Sequence, residues 1–238
     1  MSKRLRYGLA LARVVAWGLA LPALQYGLFR LFLEFRGVRI PADRVGYASL
    51  GLLVAPLLLG LFLVGPRLRG VMQYQNLTRI WVWIAVGAGC LSGILLGNLC
   101  SRIVNSLFLN DSSLQVLGET RLHPMEFSFP SMSDSLFPWF VIVFVPILEE
   151  IWYRELTLTR ALKVLSPFSA VTLTALLFAM AHMFSSPDVH HYLALASGIF
   201  PTGLVLGLLR ARYGLAAAML GHSLQNALGL YVGTFPFP

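Results

Sequence analysis

Apolar residues run through this chain in long blocks separated by short polar connections. A helix that crosses a bilayer needs about 20 mostly apolar residues. Seven stretches meet that need: 10–33, 47–65, 80–100, 136–163, 168–186, 190–209 and 213–235. Pro56, Pro138, Pro146 and Pro201 fall inside or near them, which membrane helices tolerate because neighbouring groups re-satisfy the freed backbone. The stretch 101–135 breaks the pattern with Asn105, Asn110, Asp111, Ser112, Ser113, Glu119, Thr120, His123 and Asp134. It reads as a polar connection with room for a short surface helix. The pattern predicts an all-α fold, a polytopic transmembrane bundle of about seven spans forming one membrane domain. Residues 1–135 supply the first helices and the polar loop, and 136–238 supply a second, helical half. No internal repeat or low-complexity segment is present.

Composition agrees. Hydrophobic residues make up 57% of the 238 and charged residues 12%, against roughly 25% charged in soluble domains, and mean hydropathy is +0.74. Too few charges are present to cover so much apolar surface in water, so the lipid bilayer is the expected partner. The net charge of +8 is dispersed in short clusters between apolar runs, such as Lys3-Arg4-Arg6, Arg67-Arg69 and Arg210-Arg212. That is the pattern of topology signals and anionic-lipid contacts, and it argues against nucleic acid as a partner. With the N-terminus inside, Lys3, Arg4, Arg6, Arg67, Arg69, Arg79, Arg160, Lys163, Arg210 and Arg212 fall inside. Only Arg36, Arg39, Arg44, Arg102 and Arg121 fall outside. The bias places the N-terminus in the cytoplasm, and the short chain suits a prokaryotic inner membrane. Cys90 and Cys100 lie in one apolar run, too far apart along a helix for a disulfide, and read as packed small residues. No cleavable signal peptide is expected, because the first apolar run is long and carries Arg13 and Arg30.

Ionisable groups inside apolar helices are costly and mark function by default. Glu149-Glu150-Ile151-Trp152-Tyr153-Arg154 follows directly on an apolar run. Adjacent carboxylates point about 100° apart on a helix. Glu150 and Arg154, spaced i, i+4, can pair, which leaves Glu149 as the carboxylate free to exchange a proton. Phe178 and His182 share one helical face, as do His222 and Asn226. A turn near Ser166-Pro167 places Glu149 and His182 each about 16 residues away, roughly 24 Å along antiparallel helices, and so at matching depth. Convergence of His222 and Asn226 with them is permitted by the spacing but not required by it.

Glu-Glu-x-x-x-Arg at 149–154, Phe-x-x-x-His at 178–182 and His-x-x-x-Asn at 222–226 resemble, in order and separation, the three motifs of the CAAX-processing and bacteriocin-processing protease family, also called Abi. The resemblance covers about 136–230. It implies that 136–238 is a catalytic core and that the chain is a glutamic-type intramembrane endopeptidase without a required cofactor or metal. The implied substrate is a membrane-associated protein or peptide, with prenylated C-termini, bacteriocin leaders and sorting tails all open. On this reading Glu149 is the general base, His182 helps to activate water, and His222 and Asn226 donate to the oxyanion. Glu150, Arg154 and Phe178 support them. Arg154 either braces Glu150 or binds a substrate carboxylate. Two alternatives stand beside it: a zinc protease using Glu149, His182 and His222, and a non-catalytic immunity or assembly protein of the same family.

Overall fold

A computed structural model describes residues 3–36, 72–108, 139–182 and 189–232, with the isolated positions 62 and 70. The expected span at 47–65 lies outside the described residues but for Phe62. The described residues form helices and no strand. We number the helices α1 (Lys3–Arg36), α2 (Ile80–Phe108), α3 (140–161), α4 (Pro167–Ala181), α5 (Val189–Tyr213) and α6 (Leu215–Val232). A short 3-10 turn, Tyr74–Thr78, precedes α2. The other six expected spans each coincide with one of these helices; α4 ends at Ala181, and residues 183–186 of its expected span lie outside the described residues.

Local chemistry sets the boundaries. α4 starts with Pro167, and the Ser166 hydroxyl accepts from the Ser169 N–H at 3.3 Å. This is the proline-first, serine-capped start that satisfies orphan N–H groups. Between α5 and α6 stands one residue, Gly214, at φ +97, which an L side chain rarely adopts. A Cβ there would also meet Gln73 Cβ at 2.7 Å. The Asn76 amide donates to the Tyr213 carbonyl at 3.0 Å, so the turn before α2 is fastened to the α5–α6 corner.

α3 is unusual. Its α-helical segments, Val145–Glu150 and Leu158–Ala161, alternate with π-helical ones, Phe140–Phe144 and Ile151–Thr157. Every residue from Ile151 to Thr157 is buried, so this turn is enclosed all round. The Thr157 hydroxyl donates to the carbonyl five residues back, Trp152, at 2.9 Å, a bond that suits the wider turn. Such turns collect at functional sites.

α2 shows how the bundle meets its solvent. Leu91, Leu95, Leu99, Ile103 and Leu107, four residues apart, are exposed. Gly89, Gly93 and Gly97 on the opposite side face Val205, Thr202 and the Gly198 carbonyl of α5. An outward leucine stripe and an inward glycine stripe fit a helix packed in lipid, where close backbone approach replaces hydrophobic drive. Among the described residues, the helices with segments long and apolar enough to cross a membrane are Ile80–Leu107 and Leu193–Tyr213, and Pro167–Ala181 is a shorter apolar helix. The count of seven is thus not established by length and composition. α3 and α6 lose apolar character to Glu149, Glu150, Arg154 and Glu155, and to His222, Gln225 and Asn226.

Packing fixes directions. Val14 clusters with Ala170 and Val171 of α4, while Gly18 abuts Leu177, so α1 and α4 are parallel. Gly203 and Gly207 of α5 meet Ala175 and Val171, so α5 runs against α4, and α2 runs against α5 by its glycine contacts. The starts of α1, α2, α4 and α6 therefore share one rim with the ends of α3 and α5.

Candidate active site

The first two motifs belong to α3 and α4, and the third to α6. Glu149 and Glu150 close the α-helical segment of α3, immediately before its second π-helical turn. His222 of α6 reaches both. Its Nδ1 lies 3.1 Å from Glu150 Oε1, and its Nε2 lies 3.6 Å from Glu149 Oε2. An ionised carboxylate only accepts, so Glu150 fixes a proton on Nδ1 and leaves Nε2 facing Glu149. Glu150 Oε2 lies 3.1 Å from Arg154 Nε, both side chains fully buried. That contact is close but not aligned as a hydrogen bond, so it acts as charge pairing. Arg154, Glu150, His222 and Glu149 thus form one continuous chain of polar contacts.

Phe178 is the hub. Its ring meets those of His182 at 5.1 Å, His222 at 5.7 Å and Tyr153 at 5.2 Å, all edge to face. The Arg154 guanidinium sits over it at 4.9 Å. These are attractive quadrupole geometries, and they hold four polar groups around one apolar plate. His182, the residue that ends α4, donates from Nδ1 to the Phe178 carbonyl at 2.9 Å, because a carbonyl can only accept. Its Nε2 is the nitrogen left for chemistry. The structure therefore joins Glu149, Glu150, Arg154 and His222 directly. His182 reaches them through the Phe178 ring.

Asn226 sits one turn beyond His222. Its Nδ2 donates to the Val141 carbonyl of α3 at 2.9 Å. Among the described residues, Tyr153 Oη and Arg154 Nη1 and Nη2 are buried without a hydrogen-bond partner, as are both amide atoms of Gln225. No group of three or more His, Cys, Asp or Glu side chains suited to a metal ion is found among the described residues. Of the Glu149, His182 and His222 set, only Glu149 and His222 approach each other directly.

Sequence reasoning missed two features. Glu155 pairs with Arg210 at 2.6 Å, although Arg210 reads as one of the basic residues at a turn. Tyr153 borders the site as the residue four past Glu149. The i+4 spacing is a signal that could have found it. The Glu155–Arg210 partners are 55 residues apart, and no local spacing links them.

Residues 131–228 match the family model for type II CAAX prenyl endopeptidase Rce1-like proteins. No curated protein and no solved structure matches the chain. The matched stretch holds α3 to α6 almost entirely, with every motif residue named above. Over this segment the chain is similar to the type II CAAX prenyl endopeptidase Rce1-like family, and its apolar helices are those of a membrane protein.

Proposed function

We propose that the chain hydrolyses a peptide bond in a lipid-anchored C-terminal segment of a membrane protein, with Glu149 as general base. The family's printed activity, CAAX prenyl endopeptidase, supports a prenylated C-terminus as the substrate. The observation that carries the mechanism is the approach of Glu149 Oε2 to His222 Nε2 at 3.6 Å, with the other ring nitrogen held by Glu150. Two acceptors so placed are satisfied together by one water that donates an O–H to each, leaving its oxygen lone pairs free.

In this mechanism Glu149 takes a proton from the water as its oxygen bonds to the scissile carbonyl carbon. The tetrahedral adduct collapses as the C–N bond breaks, and Glu149 returns the proton to the leaving amine. Glu150 orients His222 as the third group of a catalytic constellation orients its imidazole. His182 presents Nε2 from the far side of Phe178, toward the substrate carbonyl. The helices of 1–135 serve as a scaffold around the core of 136–238: α1 packs on α3 and α4, and α2 on α5 and α6.

The test uses purified protein in detergent and a fluorogenic farnesylated CAAX peptide. The wild-type chain should release the C-terminal fragment, and Glu149→Gln should lower kcat at least about 100-fold at unchanged melting temperature. Cleavage by a well-folded Glu149→Gln variant at the wild-type rate removes Glu149 as the base. A wild-type chain that binds the peptide without cutting it points instead to the non-catalytic role.

A further inference from the structure

Position 146 is proline, and it lies just after a π-helical turn. The Val145 N–H, which in a regular helix would serve the Val141 carbonyl, is drawn to Phe140 O instead. In the π register the next donor to Val141 O would be the N–H of residue 146, and proline has none. The Val141 carbonyl is thus left without a donor from its own helix in either register. A partly buried carbonyl in that state costs free energy unless another group serves it. Asn226 serves it from α6, at 2.9 Å, and is itself buried.

We infer that Asn226 is a positioning residue: its side chain replaces the N–H that Pro146 lacks, and thereby locks α6 against α3. This rests on the Glu149–His222 reading above and deepens it. Asn226 and His222 are one turn apart on α6, and Val141 and Glu149 about two turns apart on α3. A clamp at Asn226–Val141 therefore sets the separation at which His222 meets Glu149. It gives Asn226 a task besides oxyanion stabilisation, since one of its two amide N–H groups is engaged by a backbone carbonyl.

The two tasks separate cleanly. Asn226→Ala should lower kcat on the farnesylated CAAX peptide about 100-fold, the effect of misplacing reacting groups by a fraction of their spacing. Pro146→Ala alters no group in the site and restores an N–H that can reach Val141 O. The double variant Asn226→Ala/Pro146→Ala should therefore regain most of the lost rate. A lost oxyanion donor could not be rescued in that way.

The second readout is independent of catalysis. In the Glu149→Gln background, Asn226→Ala should speed amide hydrogen exchange across residues 140–147 by about tenfold, as expected when one partly buried hydrogen bond is lost. Exchange there that Asn226→Ala leaves unchanged overturns the proposal. So does an active Pro146→Ala protein in which the second substitution at 226 costs as much as in the wild type. Full cleavage by Glu149→Gln sinks the base assignment alone and leaves the exchange result to stand.

Discussion

Glu150 carries two bonds that oppose each other when it is changed. It pairs with the buried Arg154 and holds the His222 ring, so its removal strands a cation and frees an imidazole at once. Breaking a buried pair by neutralising one partner costs about 3–5 kcal/mol. Glu150→Gln should accordingly lower the melting temperature sharply. Adding Arg154→Met removes the stranded charge while keeping bulk against Phe178, and should restore much of the stability. It should not restore cleavage, because His222 still lacks its orienting carboxylate, and such losses are about 10–100-fold. Paired melting and kinetic measurements on the single and double variants check both halves. A double variant with wild-type kcat would reduce Glu150 to a helix brace. Much of this was legible from spacing alone: Glu150 and Arg154 at i, i+4 pair as expected, and Glu149 stays clear of the guanidinium. The contact of His222 with both glutamates was not legible, since it depends on how deeply α6 is set beside α3.

At the level of helices, the hydrophobic blocks marked where six helices run, and Ser166-Pro167 marked a turn. The π-helical turns of α3 left no trace in that pattern. Apolar periodicity reports which face is buried, and the residues of Ile151–Thr157 are buried on every face. The bond between Asn226 and Val141 joins residues 85 apart and follows from a proline that only the π register makes consequential. The glycine stripe of α2 offers a test of packing that the outward leucines control. A Cβ at Gly97 would meet the Gly198 carbonyl, and backbone cannot move aside as a side-chain tip can. Gly97→Ala should cost about 1–3 kcal/mol or more through overpacking. Leu95→Ala on the lipid side should change little, because the lost side chain packs on no protein core. Thermal unfolding of the two variants in one detergent gives the comparison, and equal loss in both would mean that α2 does not pack through its glycines.

Across the whole bundle, charge and aromatic residues gather where the helix directions meet. At the rim shared by the starts of α1, α2, α4 and α6 and the ends of α3 and α5, Arg6, Arg79, Lys163 and Arg212 are exposed. Beside them stand exposed Trp81, Trp83, Phe168 and Tyr7. Basic side chains next to amphipathic rings are the signature of a cytoplasmic membrane interface, where anionic headgroups and the positive-inside bias act together. We therefore propose seven spans, counting 47–65, with the N-terminus in the cytoplasm and the C-terminus outside. Reporter fusions after Arg69, Lys163 and Arg212 should then signal a cytoplasmic location, and a fusion after Pro238 an outside one. Each basic residue near an anionic surface contributes about 1 kcal/mol, so the four exposed rim charges together set a bias large enough to measure. Replacing Arg6, Arg79, Lys163 and Arg212 with alanine should leave the apolar helices inserted, because their length and hydropathy are unchanged. It should, however, split the fusion after Lys163 into mixed populations. An unmixed cytoplasmic signal from the quadruple variant would assign the orientation to other residues. An outside signal from the unaltered chain after Lys163 would invert the bundle and place this aromatic and basic rim on the opposite face of the membrane.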